Sequence, residues 1–441
     1  MKILTYLFIL CLPSAIIFAQ SRTADSDTAT SKALWNLHFQ QTVIIQGHPD
    51  IHAAYTGANS LSPEGESKTS LTSTLFAGCR LWPGAELYVD PEVSGGSGLS
   101  GAVGAAGFPN GDAYRVGSPS PTLYPARLFL RQTIGLGGGR LTLDDGPNQI
   151  QTTVDSSHIV ITAGKFGIAD MFDNNTFCHD ARVQFMNWSL MDYGAWDYPA
   201  DTRGYTWGVT AEYHRPGWAV RVAGVLEPTE ANGPEMDLHV ADAHGIALEA
   251  ERSLAMFGHD GVIRVLLFSN ATHAASYREA IDEAHDSLQL ATLRRYGHSK
   301  SGFGVNIEQG ISDDAGVFLR ASWNDGRNET WAFTEIDRSL SAGMVANGTL
   351  WRRPGDRLGV ALVVNGLSDD HAEYLRRGGY GFIIGDGALN YGAEAIAEAY
   401  YLFQITDAIS LTGDYQFIND PAYNKDRGPI HVFALRAHIE F

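Results

Sequence analysis

Ile430-His431-Val432-Phe433-Ala434-Leu435-Arg436-Ala437-His438-Ile439-Glu440-Phe441 closes the chain. Successive side chains of an extended strand point to opposite faces. Phe433, Leu435, Ala437, Ile439 and Phe441 therefore share one face, and Arg436, His438 and Glu440 share the other. In a soluble sheet, an edge strand with so bare an apolar stripe would invite aggregation. Facing lipid, the stripe carries no such penalty, and the charged face must then meet water.

The same alternation, followed backwards, predicts strands over 36–46, 70–81, 84–92, 124–135, 158–165, 204–213, 218–226, 245–254, 262–269, 303–311, 317–324, 340–350, 358–366, 396–406, 409–417 and 431–441. The even count of about sixteen suits a single-chain bacterial barrel. Strand 124–135 sets Leu128, Leu130 and Ile134 against Arg127, Arg131 and Thr133, and strand 84–92 sets Ala85, Leu87 and Val89 against Glu86, Tyr88 and Asp90. Arg221, Arg264 and Arg320 likewise stand opposite apolar stripes. A charge on a lipid face costs roughly 2–4 kcal/mol at the midplane, so the charged face is read as the wet interior. Tyr205, Tyr213, Trp218 and Trp323 sit near strand ends, where an aromatic girdle belongs.

The connections alternate in length. Tight turns are expected at 81–84, 214–217, 313–316, 353–356 and 406–407, and long polar loops at 47–69, 93–123, 166–203, 227–244, 270–302, 367–395 and 418–430. The expected fold is thus all-β, a transmembrane antiparallel barrel with short periplasmic turns and long extracellular loops. The segment 137–157 breaks the rule, being long where a short turn is due, and Tyr277–Leu293 reads as a helix over the mouth or rim.

Composition agrees. The chain has 48 Gly and 11% aromatic residues. Its mean hydropathy of −0.12 hides any strand that shows only alternate residues to lipid. Lys2 followed by the apolar run Ile3–Ile17 and Ile17-Phe18-Ala19 has the layout of a secretory signal over 1–19. A Ser/Thr/Ala-rich periplasmic arm over 20–34 and a barrel domain over 35–441 follow. With Cys11 inside the leader, only Cys79 and Cys178 belong to the barrel, too few for a disulfide framework. A net charge of −19 argues against nucleic acid as a partner.

Weaker patterns are weighed against plainer readings. Asp170, Asp173, Asn174, Asn175, His179 and Asp180 offer oxygens to a calcium ion but lack EF-hand spacing, so a solvated loop is the expectation and no metal is assigned. His158 and His438 read as interior residues, since no paired His spacing accompanies them. Ser156 and Ser157 beside His158 form the one neighbouring nucleophile–base set, but adjacent strand residues face apart, so an enzyme is not expected.

Several blocks resemble the carbohydrate-selective porins of the OprB type. They include Tyr55–Leu61, Arg80-Leu81-Trp82-Pro83-Gly84-Ala85-Glu86, Gly107–Gly111, Ala126–Gln132, Phe185–Trp188, Gly194–Tyr205, Asn390–Gly392 and Asp414–Phe417, and they run in order to Phe441. The resemblance implies a sixteen-stranded barrel narrowed by inward loops, passive diffusion of small carbohydrates, an arginine-rich constriction, and no cofactor or catalytic step. By motif match Arg80, Glu86, Arg127 and Arg131 are expected at the constriction; by facing inward, Tyr88, Asp90, Arg221, Arg264 and Arg320 join the pore lining. Loop 93–123 is the expected inward loop. Arginine only donates and carboxylates only accept, so interleaving them serves both roles of a hydroxyl. Ion pairs that merely hold the barrel are the competing reading of the same residues. Expected partners are small carbohydrates, outer-membrane lipid and lipopolysaccharide, and the barrel-assembly machinery through Phe441, in a monomer or homotrimer. The alternative is a general or ion-preferring porin.

Overall fold

The computed structural model describes residues 33–112, 120–256, 258–284, 288 and 290–441. The expected leader and nearly all of the expected arm lie outside them. In chain order the strands are β1 Trp35–His48, β2 Glu66–Trp82, β3 Ala85–Gly96, β4 Thr122–Gly135, β5 Arg140–Leu143, β6 Thr152–Asp155, β7 His158–Phe166, β8 Thr206–Arg215, β9 Trp218–Val225, β10 His244–Met256, β11 His259–Thr272, β12 His298–Ser312, β13 Ala315–Asn324, β14 Arg338–Asn347, β15 Arg357–Gly366, β16 Glu394–Thr406, β17 Ile409–Asn419 and β18 Ile430–Glu440. All but β5 and β6 form one closed antiparallel barrel of sixteen strands. Closure runs from Gln40↔Glu440 to Gly47↔Phe433 between β1 and β18, which leaves no free edge. Among the described residues no helix is long and apolar enough to cross a membrane.

Every predicted strand has its counterpart. The closing strand behaves as its pattern requires: Phe433 and Leu435 are exposed on the outer face, while Arg436 and His438 are buried inside. Outward Val209, Leu267, Leu319, Leu340, Leu362 and Val364 continue the apolar belt. The Pro83-Gly84 and Pro216-Gly217 turns are tight, with Gly84 and Gly217 at φ +79° and +81°, a region only glycine enters freely. Strand 340–350 was drawn too long; β14 stops at Asn347 and a 3-10 turn, Gly348–Trp351, follows.

The exceptional segment 137–157 is an inward device. Its outer part is the small hairpin β5–β6. Its inner part turns into the barrel: Asn148 donates to Asp90 at 2.9 Å, the Ile150 N–H donates to the Tyr88 hydroxyl at 3.2 Å, and Ile150 is buried.

The long loops fold inward and over the mouth rather than outward into solvent. Residues 97–112 enter the barrel after Gly96, whose φ of +94° turns the chain where an added Cβ would lie 2.0 Å from the Thr69 carbonyl oxygen. Residues 167–205, which carry the short helix α1 Trp188–Met191, cross the interior. The solvated-loop expectation for Asp170–Asp180 holds only in part: Asp170 and Asn174 are exposed, but Asp173 and Asn175 are buried, as are Trp188 and Trp196 further along. Helices α2 Tyr277–Asp282 and α3 Asp369–Arg376 pack together over the mouth, with Tyr277 stacked on His371 at 4.2 Å. The predicted helix is shorter than drawn, ending at Asp282. Tyr205 is also corrected. It precedes β8 and is buried inside, its hydroxyl donating to Glu92 at 3.2 Å, so it belongs to no girdle.

Candidate functional site

Inward strand positions alternate with lipid-facing ones, so each wall strand offers polar side chains to the interior at every second residue. The inward loops consume many of them. Glu394 on β16 accepts N–H groups from Ala106, Gly107 and Ala422, at 3.0, 2.6 and 2.8 Å. Glu398 accepts from Met186 and Asn187, Glu249 from Asp173, and Glu308 from Thr176. A loop buried against a polar wall must place its backbone donors somewhere, and these carboxylates take them. Arg436 does the reverse, donating to the Ala181 and Gln184 carbonyls at 2.6 and 2.9 Å.

Between the loops and the β1–β4 and β7–β9 wall lies a cavity of about 760 Å³. That is the size of a small-molecule site. Of the residues expected at the pore, Glu86, Arg127, Arg131 and Arg221 line it. Arg127 forms a two-pronged pair with Asp170, at 2.7 and 2.6 Å, and its guanidinium lies 5.2 Å from the Tyr205 ring centroid. Arg131 donates to the Asn148 carbonyl at 2.8 Å and lies 5.0 Å from the Tyr88 ring centroid. Arg221 is held by Glu212, Glu249 and Glu251, at 3.0, 3.1 and 3.0 Å.

The other expected residues stand behind the cavity. Arg80 reaches Glu86 at 3.4 Å and the Gln151 carbonyl at 2.6 Å. Tyr88 donates to Glu86 at 2.8 Å and is fully buried, as is Asp90 under Asn148. Arg264 pairs with Glu251 and Glu308, at 2.9 and 3.3 Å. Arg320 pairs with Asp173 at 2.9 Å and donates to the Leu190 carbonyl at 2.7 Å. For these the structural ion-pair reading describes the geometry.

Sequence reasoning missed the residues that the loops bring in. Arg182 crosses from the loop to Glu92, Asp112 and Gln40, at 3.0, 2.9 and 2.8 Å. Arg203 lies 3.7 Å from the Tyr124 ring centroid. Asp170, His179, Asp180 and Asp192 line the same wall, with Trp188 and Tyr198 supplying aromatic surface. Burial first, and then the neighbouring Asp173, push the Asp192 carboxyl up to about 8. Burial and the Arg320 charge hold His179 below the usual imidazole range. The density of Trp188, Tyr193, Trp196 and Tyr198 in a supposedly solvated loop was the available signal.

At the short-turn end of β7 and β8, His158 and His214 stack at 4.7 Å, and His158 Nδ1 is 2.8 Å from the Asp155 carbonyl rather than engaged with a serine. Among the described residues no group of three His, Cys, Asp or Glu is placed to hold a metal ion.

The architecture has solved counterparts. The high-pH structure of Pseudomonas putida OprB matches with a TM-score of 0.70 at 16% identity, over 92% of this chain and 94% of that one. The low-pH structure of the same protein matches with a TM-score of 0.51 at 13% identity, over 92% and 93%. No curated protein sequence matches the chain. The sequence profile described as carbohydrate-selective porin, OprB family, matches residues 58–441. With that profile spanning nearly the whole barrel, whose interior is lined with charge, the chain belongs to the carbohydrate-selective porin, OprB family.

Proposed function

We propose that small carbohydrates diffuse passively through this barrel and are read by Arg127, Arg131, Arg182, Arg203, Glu86 and Asp170. The observation that carries this is the lining of the cavity, where guanidinium donors, carboxylate acceptors and aromatic faces lie side by side. A sugar presents hydroxyls that both donate and accept, on rings with apolar faces. Arginine supplies only donors and carboxylates only acceptors, so their alternation serves both roles. The contacts exchange with hydration in a wet channel, and each is weak enough to release its cargo. Arg80, Tyr88, Asp90, Arg264 and Arg320 support this lining from behind.

The wider setting follows from the same reading. The leader over 1–19 directs export, the apolar belt meets outer-membrane lipid, and Phe441 serves as the assembly signal.

Liposome swelling tests the proposal. Vesicles carrying the refolded protein should swell quickly in isotonic glucose, more slowly in sucrose and hardly at all in a large dextran. Swelling that depends on size alone, with equal rates for a sugar and a polyol-free amide of the same bulk, would demote the protein to a general diffusion porin.

A further inference from the structure

We propose that His179 and Asp192 form a subsite for the ammonium group of an amino sugar, so that the pore takes hydroxylated cations ahead of neutral sugars. The inference rests on the reading of this cavity as a sugar path and names a substrate class within it.

Most carboxylates on the cavity wall already have a cationic partner. Glu92 and Asp112 have Arg182, Asp170 has Arg127, Glu212 has Arg221, and Glu86 has Arg80. Asp192 differs. It lines the cavity, is only 3% exposed, and neither of its oxygens accepts a hydrogen bond from the protein. His179 Nδ1 is 3.7 Å from Oδ1, beyond hydrogen-bond reach, and is itself buried without a partner. Three buried polar atoms of two neighbouring side chains thus lack hydrogen-bond partners. Native structures rarely leave such groups unsatisfied, because each costs its full desolvation. Asp180 lies on the same stretch of wall without an Arg or Lys ion pair among the described residues, and the Arg320 guanidinium, whose charge reaches both His179 and Asp192, is already paired with Asp173 at 2.9 Å.

The chemistry narrows the occupant. A calcium ion needs six to eight oxygens, and no group of three acidic, His or Cys side chains is placed to hold a metal among the described residues. An ammonium brings three donors and no acceptor, and one carboxylate with one neutral imidazole gives it acceptors. A sugar hydroxyl's bond to a carboxylate has one ionised partner; an ammonium's has two and adds a Coulombic attraction. Trp188 and Tyr198 on the same wall offer faces for the ring. Burial pushes the Asp192 carboxyl up, so a proton must leave it as the cation binds. The ammonium takes that proton's place beside the carboxylate, and the proton leaves to the channel water.

The test is block of single-channel current at pH 7 by glucosamine, N-acetylglucosamine and glucose. Acetylation removes the ammonium and keeps the ring. Glucosamine should block at about tenfold lower concentration than either neutral sugar, the worth of one added charge-assisted bond. In Asp192→Asn that ratio should fall close to one. Equal block by glucosamine and N-acetylglucosamine in the wild type overturns the subsite, whether or not the variant assembles. A tenfold preference that survives in Asp192→Asn also overturns it. If glucosamine blocks and glucose does not, the subsite stands and the neutral-sugar path fails; if glucose blocks as well as glucosamine, the path stands and the subsite fails.

Discussion

Arg127 shows how a single side chain divides its labour in this lumen. Its two-pronged pair with Asp170 ties the strand wall to the inward loop, and its remaining face lies against Tyr205 on the cavity side. Arg127→Ala should therefore both widen the passage and remove a donor. The expected result is a higher single-channel conductance with glucose block weakened by about tenfold, the worth of one hydrogen bond to a charged group. Arg320 is a different case. It is buried at 2% exposure against a fully buried Asp173. Removing one partner of such a pair costs roughly 3–5 kcal/mol. Arg320→Ala should lower the unfolding free energy of the refolded barrel in urea by that amount, and a stability unchanged within error would contradict the assignment. The sequence gives Arg127 and Arg320 the same inward parity, and the two roles were not separable from it. What separates them is the loop that lies over Arg320, and alternation along a strand carries no information about a loop.

The loops are the elements that make a passage out of a wide barrel, and each has an anchor on the wall. Glu394 gathers three backbone N–H groups from two loops. Glu394→Ala leaves each of those donors without an acceptor, at about 1–3 kcal/mol apiece. Residues 97–112 should then detach, seen as larger and noisier conductance steps. Over the mouth, Asp337 and His371 pair at 3.0 Å, both fully buried. Burial works against the charge on Asp337, but His371 and Lys300 outweigh it and hold the carboxyl below its ordinary value. A depressed carboxylate stabilises the fold above its unfolded pKa of about 4 and loses that contribution as pH falls below it. The protection of α3 amides, taken relative to the intrinsic exchange rate at each pH, should therefore fall below about pH 4 and be flat from pH 5 to 7; protection that falls on the alkaline side would contradict the sign. Expectation and structure part company most at this scale. Loop 93–123 was read as turning inward, and residues 97–112 do so. The stretch Asp170–Asp180 reads as a solvated loop, since it lacks EF-hand spacing, yet Asp173 and Asn175 are buried. A polar interior buries polar residues as readily as water does, so hydropathy cannot tell the two environments apart. The aromatic run from Trp188 to Tyr198 could have done so.

Across the whole molecule the strands were legible because lipid and water impose a strict period of two, and Pro83-Gly84 or Pro216-Gly217 punctuates it. Only the ends drifted, as where β14 gives way to the 3-10 turn at Gly348. The inward segment 137–157 announced itself by breaking the rule of short turns, and its Asn148 and Ile150 now support Asp90 and Tyr88 from the short-turn side. Under the proposed function, the charged, sugar-sized cavity between wall and loops belongs to a route across the membrane. Single-channel current in a planar bilayer, titrated with glucose, tests it most directly. Discrete open channels whose current falls saturably as glucose binds are expected. Open channels indifferent to glucose at every concentration, or folded barrels that never conduct, would contradict it.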